Sequence, residues 1–215
     1  MTMRISRVVV ASPDAAATAA AWERLGVALP VEVRAAADGE PAGLVEIGLA
    51  VPDVEATARL LARRGLQVEA ALVPIEGSRW RLIEDAEDPP AADGLALDQL
   101  VVAAADATRA VADYGARLGL DLRLDRDTDF GFRGLFFRCG DAVVEVTVSS
   151  GAALRADTFA GLAWRCRDLA AERARLLASR TQMSEIRVGR KPGTVVATVR
   201  APDLQVPTLL IGPAD

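Results

Sequence analysis

The sequence predicts an α+β fold assembled from tandem βαβββ units, and three observations carry that prediction. One phrase occurs four times in the 215 residues: an apolar strand runs into an aspartate, and an Ala-rich helix follows that ends at Leu-Gly or its equivalent. The copies run from RVVVASPD to Gly26, IGLAVPD to Gly65, LVVAAAD to Gly119 and LAWRCRD to Thr181, anchored on Asp14, Asp53, Asp106 and Asp168. The third and fourth copies are each followed by three further strand-like runs. The anchors recur at intervals of 39, 53 and 62 residues, the spacing of a repeated supersecondary unit rather than of an open α/β sheet.

Each anchoring aspartate stands at a helix N-cap, where its carboxylate accepts from free backbone amides and its charge suits the positive helix end. Apolar residues recur at helical spacing: Ala17, Ala21, Trp22 and Leu25 in the first helix, Val111, Tyr114, Gly115 and Leu118 in the third. The first unit is short, and VEVRAAADGEPAG reads as a connecting loop that leaves it one or two strands deficient. The second adds LQVEAALV and RWRLIED. The acidic, proline-bearing stretch EDAEDPPAADG then reads as a boundary, dividing residues 1–90, a pair of shortened units, from residues 95–215, a complete pair. In the third unit LDLRLD, GLFFRC and AVVEVTV follow the helix, with a Gly140-Asp141 hairpin turn between the last two. The fourth repeats the pattern with SEIRV, TVVATVRA and VPTLLIG, broken by Lys191-Pro192-Gly193 and Ala201-Pro202-Asp203.

Composition narrows the function. Thirty acidic against 25 basic residues, and a pI near 5.0, argue against a nucleic-acid partner. No apolar run approaches the roughly 18 residues of a membrane span, and the N-terminal apolar stretch is too short for a secretory signal. Two cysteines, Cys139 and Cys166, are too few for a disulfide framework, so a soluble cytoplasmic protein is expected. There is no histidine, which excludes a Ser-His-Asp triad, a Cys-His dyad and any histidine metal ligand. Lys191 is the only lysine and gives little footing for Schiff-base chemistry. Carboxylates, arginines, hydroxyls and amides must do whatever is done.

Tandem βαβββ units with these motifs resemble the vicinal oxygen chelate superfamily of glyoxalases, bleomycin-resistance proteins and extradiol dioxygenases. The resemblance is fullest over residues 95–212, through LALDQLVVAAADATRAVADYGARLGL, DFGFRGLFFRCGDAVVEVTV, FAGLAWRCRDL and VPTLLIG. It implies paired units that curl a mixed sheet into a cup. In the family four inward side chains hold a divalent metal: one from each first strand, seven residues before the anchor, and a glutamate from each last strand. That register implies Gln99 and Gly161 on the first strands, with Glu145 and Thr208 on the last. Only Gln99 and Glu145 are ligands of the kind a metal takes, so neither a metal nor another cofactor is expected. The same register in the first half gives Arg7 and Glu46, which are expected to pair across the two units. The resemblance allows a homodimer.

Strand alternation places Gln99, Val101 and Ala103 on one face, and Gly161, Ala163 and Arg165 on the matching face of the fourth unit. A carboxylate inside an apolar cup needs a cation or a raised pKa. Two readings of Glu145 therefore stay open: a salt bridge to Arg165 left from a lost metal site, or an unpaired general base. In the catalytic reading Glu145 and Arg165 are the catalytic pair, Arg165 stabilising an oxyanion, and Gln99 orients a small, largely apolar substrate for isomerisation or elimination. A non-catalytic sequestering protein is the alternative, and a purely structural subunit a third. Residues 129–137 hold four of the five phenylalanines. Phe130 and Phe132 are expected at the cup mouth and one of Phe136 or Phe137 in the core; Arg133, Phe137 and Thr208 complete the candidate substrate-binding set. Trp164 is expected on the helix-packing face, and the cysteines as buried thiols.

Overall fold

The structure is a computed structural model in which residues 3–85, 94–127, 131–149 and 154–214 are described. All four anchoring aspartates cap their helices. The carboxylates of Asp14, Asp53, Asp106 and Asp168 accept from the amides of Ala17, Ala56, Arg109 and Ala171 at 3.0, 2.8, 2.6 and 2.9 Å.

The first half comprises β1 (Arg4–Ser12), α1 (Ala15–Leu25), β2 (Val31–Ala35), β3 (Gly43–Val51), α2 (Val54–Arg63), β4 (Leu72–Ile75) and β5 (Ser78–Glu84). They form one five-stranded sheet in the order β2-β1-β3-β5-β4. VEVRA is therefore a strand and not part of a loop: β2 runs parallel to β1, from Val8 opposite Val31 to Ser12 opposite Ala35. The first unit has kept the strand that closes a βαβββ unit and lacks the two before it. In LQVEAALV only the end is extended, because Ala70 and Ala71 turn at φ 47° and 65°.

The second half contains β6 (Ala96–Ala104), α3 (Ala107–Ala110, continuing as a π-helix over Val111–Arg117), β7 (Asp121–Asp127), β8 (Phe132–Cys139) and β9 (Ala142–Ser149). After these come β10 (Thr158–Arg165), α4 (Leu169–Ala178), β11 (Gln182–Met183), β12 (Arg187–Val188), β13 (Thr194–Arg200) and β14 (Thr208–Pro213). The nine strands form a sheet ordered β11-β13-β14-β10-β6-β9-β8-β7, with β12 on β13. At its centre β6 and β10 are antiparallel, and each lies parallel to the closing strand of its own unit, β9 or β14. The first half repeats this centre with β1 and β3.

One hydrophobic cluster joins the helix-bearing faces of both sheets. Trp22 of α1 meets Trp164 of β10 edge to face at 6.0 Å, and Trp80 of β5 meets Tyr114 at 5.9 Å and Phe159 at 5.5 Å. Trp164 thus takes the core position its parity indicated. In α1 the inward residue is Thr18 and not Ala17, because the Thr18 hydroxyl is satisfied at 2.8 Å by both Ser12 Oγ and the Asp203 carbonyl. A polar seam accompanies the apolar one: buried Asp157 accepts from the Tyr114 hydroxyl at 2.9 Å and pairs with Arg109. Burial pushes the Asp157 carboxyl above its ordinary range despite these partners. With the backs of both sheets facing this core, their other faces form two cups.

Candidate functional site

In the second cup the ladder fixes which side chains share a face. Glu145 lies opposite Val101 on β6 and Phe136 on β8. Gln99 lies opposite Val143 and Ala163, and Gly161 opposite Val101. Two residues along β8 from Phe136 come Gly134 and then Phe132, on the same face. A Cβ at Gly134 would come 2.9 Å from the Phe136 ring, so the glycine lets that ring lie along the strand. Arginines cover both rings: the Arg126 guanidinium sits 5.7 Å from the Phe136 centroid and that of Arg190 5.6 Å from Phe132.

Glu145 is half-buried, and its side chain makes no hydrogen bond or ion pair among the described residues. Burial raises its pKa, and the charges of Arg190 and Arg126 oppose that without cancelling it. The cup therefore holds a carboxylate that is more basic than usual, an amide at Gln99, two aromatic rings and a guanidinium over each. Such a set can accept a proton from a bound molecule and hold an apolar body against the rings.

Of the sequence candidates, Glu145, Gln99 and Phe132 come together on this face, and four others do not. Arg165 pairs with Asp98 at 3.3 Å and lines a groove of about 1,110 Å³ beside the start of α4, which none of Glu145, Gln99 or Phe132 lines. The β6–β10 ladder skips Asp98 between its Ala163–Gln99 and Trp164–Leu97 pairs, which brings that carboxylate to the guanidinium. Thr208 faces the core, opposite Leu162 and Val199, with its hydroxyl donating to the Val206 carbonyl at 2.8 Å; Leu209 is the cup residue. Phe137 is fully buried against Tyr114, at 6.0 Å, on the helix side. Arg133 is exposed and forks onto Asp125 at 2.6 and 2.8 Å. Phe130 lies outside the described residues.

The sequence does not single out Arg190 or Leu209; it leaves Phe136 as one of two candidates for the core and Arg126 as one of several arginines expected to pair with nearby aspartates. Phe136 shares the parity of Phe132, and that signal could have found it. Arg126 and Arg190 come from opposite flanks of the sheet, and no sequence signal brings the two together. Both thiols are pushed up by burial, Cys139 to about 12 and Cys166 to about 11, so neither is a nucleophile at neutral pH.

The donor set does not fit a metal. In the complete unit Glu145 stands opposite the residue two beyond Gln99, and the same offset from Gly161 leads through Ala163 to Leu209. Two of the four positions thus carry no donor. At Gly161 a Cβ would come 2.9 Å from the Pro207 carbonyl, so no side chain can enter from there.

The same offset in the first cup adds Glu32 and Arg81 to Arg7 and Glu46. These four form one ionic network. Arg7 donates to Glu32 at 3.0 Å and to Glu46 at 3.1 Å, the second being the pairing expected from the sequence. Arg81 forks onto Glu46 at 2.7 and 3.0 Å. Burial pushes the Glu46 carboxyl up, but the hydrogen bond from Arg81 and the charges of Arg81, Arg7 and Arg79 outweigh it and hold the group below its usual range.

Paired sheets whose central strands meet antiparallel and whose units close in parallel define the vicinal oxygen chelate fold, and this chain has it. A variant of 4-hydroxymandelate synthase from Streptomyces coelicolor superposes over 99% of this chain and 93% of its own, with a TM-score of 0.76 at 11% identity. A halotolerant catechol dioxygenase does so over 100% and 89%, with a TM-score of 0.74 at 12% identity. Methylmalonyl-CoA epimerase from Mycobacterium tuberculosis aligns with 55% of this chain and 88% of its own, with a TM-score of 0.47 at 22% identity. No protein-family model and no curated protein sequence matches the chain. Among the described residues no helix is long and apolar enough to cross a membrane.

Proposed function

We propose that the second cup binds a small, largely apolar organic molecule and that Glu145 acts on it as a general base without a metal. The reaction class is isomerisation or elimination next to an electron-withdrawing group. A C–H bond breaks, its proton moves to a Glu145 carboxylate oxygen, and the electron pair shifts toward the withdrawing group. The proton then returns at another carbon, or a leaving group departs. Gln99 orients the substrate, and Phe132 and Phe136 hold its apolar body. Arg126 and Arg190 replace Arg165 as the cations of this site, since theirs are the charges felt by Glu145. The observation that carries the reading is the Glu145 carboxylate, unpaired among the described residues and raised in pKa, beside Phe136, Val101 and Val143.

Glu145→Gln keeps the shape and removes the base. Turnover of a substrate found by screening activated carbonyl compounds is expected to fall at least 100-fold, with affinity kept within a few-fold. Unchanged turnover would remove Glu145 from the chemistry. The guanidinium-covered rings favour one second reading, sequestration of a planar molecule. In that case Glu145→Gln leaves binding intact, no ligand is converted, and Phe136→Ala abolishes binding.

A further inference from the structure

We propose that the first cup is a second binding site, specific for a small monocarboxylate. The cavity there measures about 360 Å³, the lower end of the range for small-molecule sites. Its apolar lining is Val9 and Val45, and its charged lining is four arginines and two glutamates. Arg34 is already satisfied by a two-pronged contact with Glu40, at 2.6 Å on each arm. Arg7, Arg79 and Arg81 are left facing Glu32 and Glu46, so the cavity carries one positive charge more than its carboxylates balance.

The excess is localised. Arg81 forks onto Glu46, and Arg7 spans Glu46 and Glu32. Arg79 reaches Glu46 only at 3.7 Å, beyond hydrogen-bond length, and is its third guanidinium. Arg7 Nε is buried without a hydrogen-bond partner among the described residues. Guanidinium donors match a carboxylate in a forked geometry, and leaving a buried donor unmatched is costly. A single negative charge completes the balance, whereas a dianionic phosphate ester overshoots it. This site is independent of Glu145 chemistry, since it lies on the other sheet.

The test is calorimetric titration of the full chain with sodium propionate and sodium benzoate, with propionamide and inorganic phosphate as controls. The Nε–H resonances of the arginines are followed in parallel by NMR. The expected result is saturable carboxylate binding that shifts the Arg7 and Arg79 signals, with propionamide silent and phosphate weaker. Arg79→Ala, at a half-exposed side chain, weakens the carboxylate on the order of tenfold or more. Glu145→Gln and Phe136→Ala leave it unchanged. The proposal is overturned if neither acid binds at millimolar concentration or if Arg79→Ala binds as tightly. It is also overturned if the cup-two variants abolish binding, or if phosphate binds more tightly than the acids.

Discussion

Among the described residues the Glu145 carboxylate makes no ion pair, and the fold is expected to register this in its pH dependence. A carboxyl whose folded pKa lies above its unfolded value binds more protons in the native state between the two values. Stability therefore falls as pH rises through that window, and above it the charged group works against the fold. Glu145→Gln is expected to unfold at a higher temperature than the parent at pH 7 to 8. The difference should shrink as pH drops into the ordinary carboxylate range, and a constant difference would mean that burial is not what raises the group. Gly161 makes a second residue-scale point. Gly161→Ala puts a Cβ against the Pro207 carbonyl and is expected to cost about 1–3 kcal/mol in urea unfolding. Parity explains which of the residues named from sequence reach the cup. The family register implies Gln99 and Glu145 and the glycine-flanked cluster points to Phe132, whereas Thr208 and Phe137 each sit one position from the residue that faces the cup. In a strand a slip of one exchanges the faces, and only the pairing with neighbouring strands removes that ambiguity.

The elements were legible where a local rule governs them. The four aspartate caps and the glycines that end the first three helices follow from backbone chemistry confined to a few residues. Gly26, Gly65 and Gly119 have φ of 72°, 86° and 89°, the left-handed region that stops a helix. The fourth helix has no glycine there, and Arg180 takes the same conformation at φ 63°. A left-handed non-glycine residue costs roughly 1–2 kcal/mol, and glycine gives back about 0.5–1 kcal/mol through the unfolded chain. Arg180→Gly is accordingly expected to stabilise the protein by about 0.5–1 kcal/mol, measured by urea unfolding; a loss would show that the arginine side chain makes an essential contact. Less legible was VEVRA, whose partner β1 lies beyond a helix. No local signal distinguishes a five-residue strand paired across such a crossover from a polar loop. The widening of α3 into a π-helix likewise has no signature in its Ala-rich sequence.

At the scale of the whole molecule the two sheets were legible as repeats, but their joint core was not. Leu95 and the turn after α1 exchange backbone hydrogen bonds at 2.9 and 3.0 Å, from Ala28 to Leu95 and from Leu95 to Gly26. Gly94 is required at that join, since a Cβ would come 2.8 Å from the Gly26 carbonyl. A core shared in this way predicts one cooperative transition. Residues 95–215 alone would expose the Trp164 and Tyr114 faces and are expected to be poorly folded, with far less protected amide hydrogen than in the full chain. An isolated second half with native-like exchange protection would show that the halves are independent domains. Trp22→Ala is expected to cost about 3–5 kcal/mol and to lower a single midpoint rather than split the curve.

All three tryptophans of the chain, Trp22, Trp80 and Trp164, belong to that shared core. Intrinsic fluorescence is consequently a gauge of whether the halves are docked. Emission should redden when they part, yet stay nearly silent when a molecule enters either concave surface, so ligand screens on this protein need an optical label placed elsewhere.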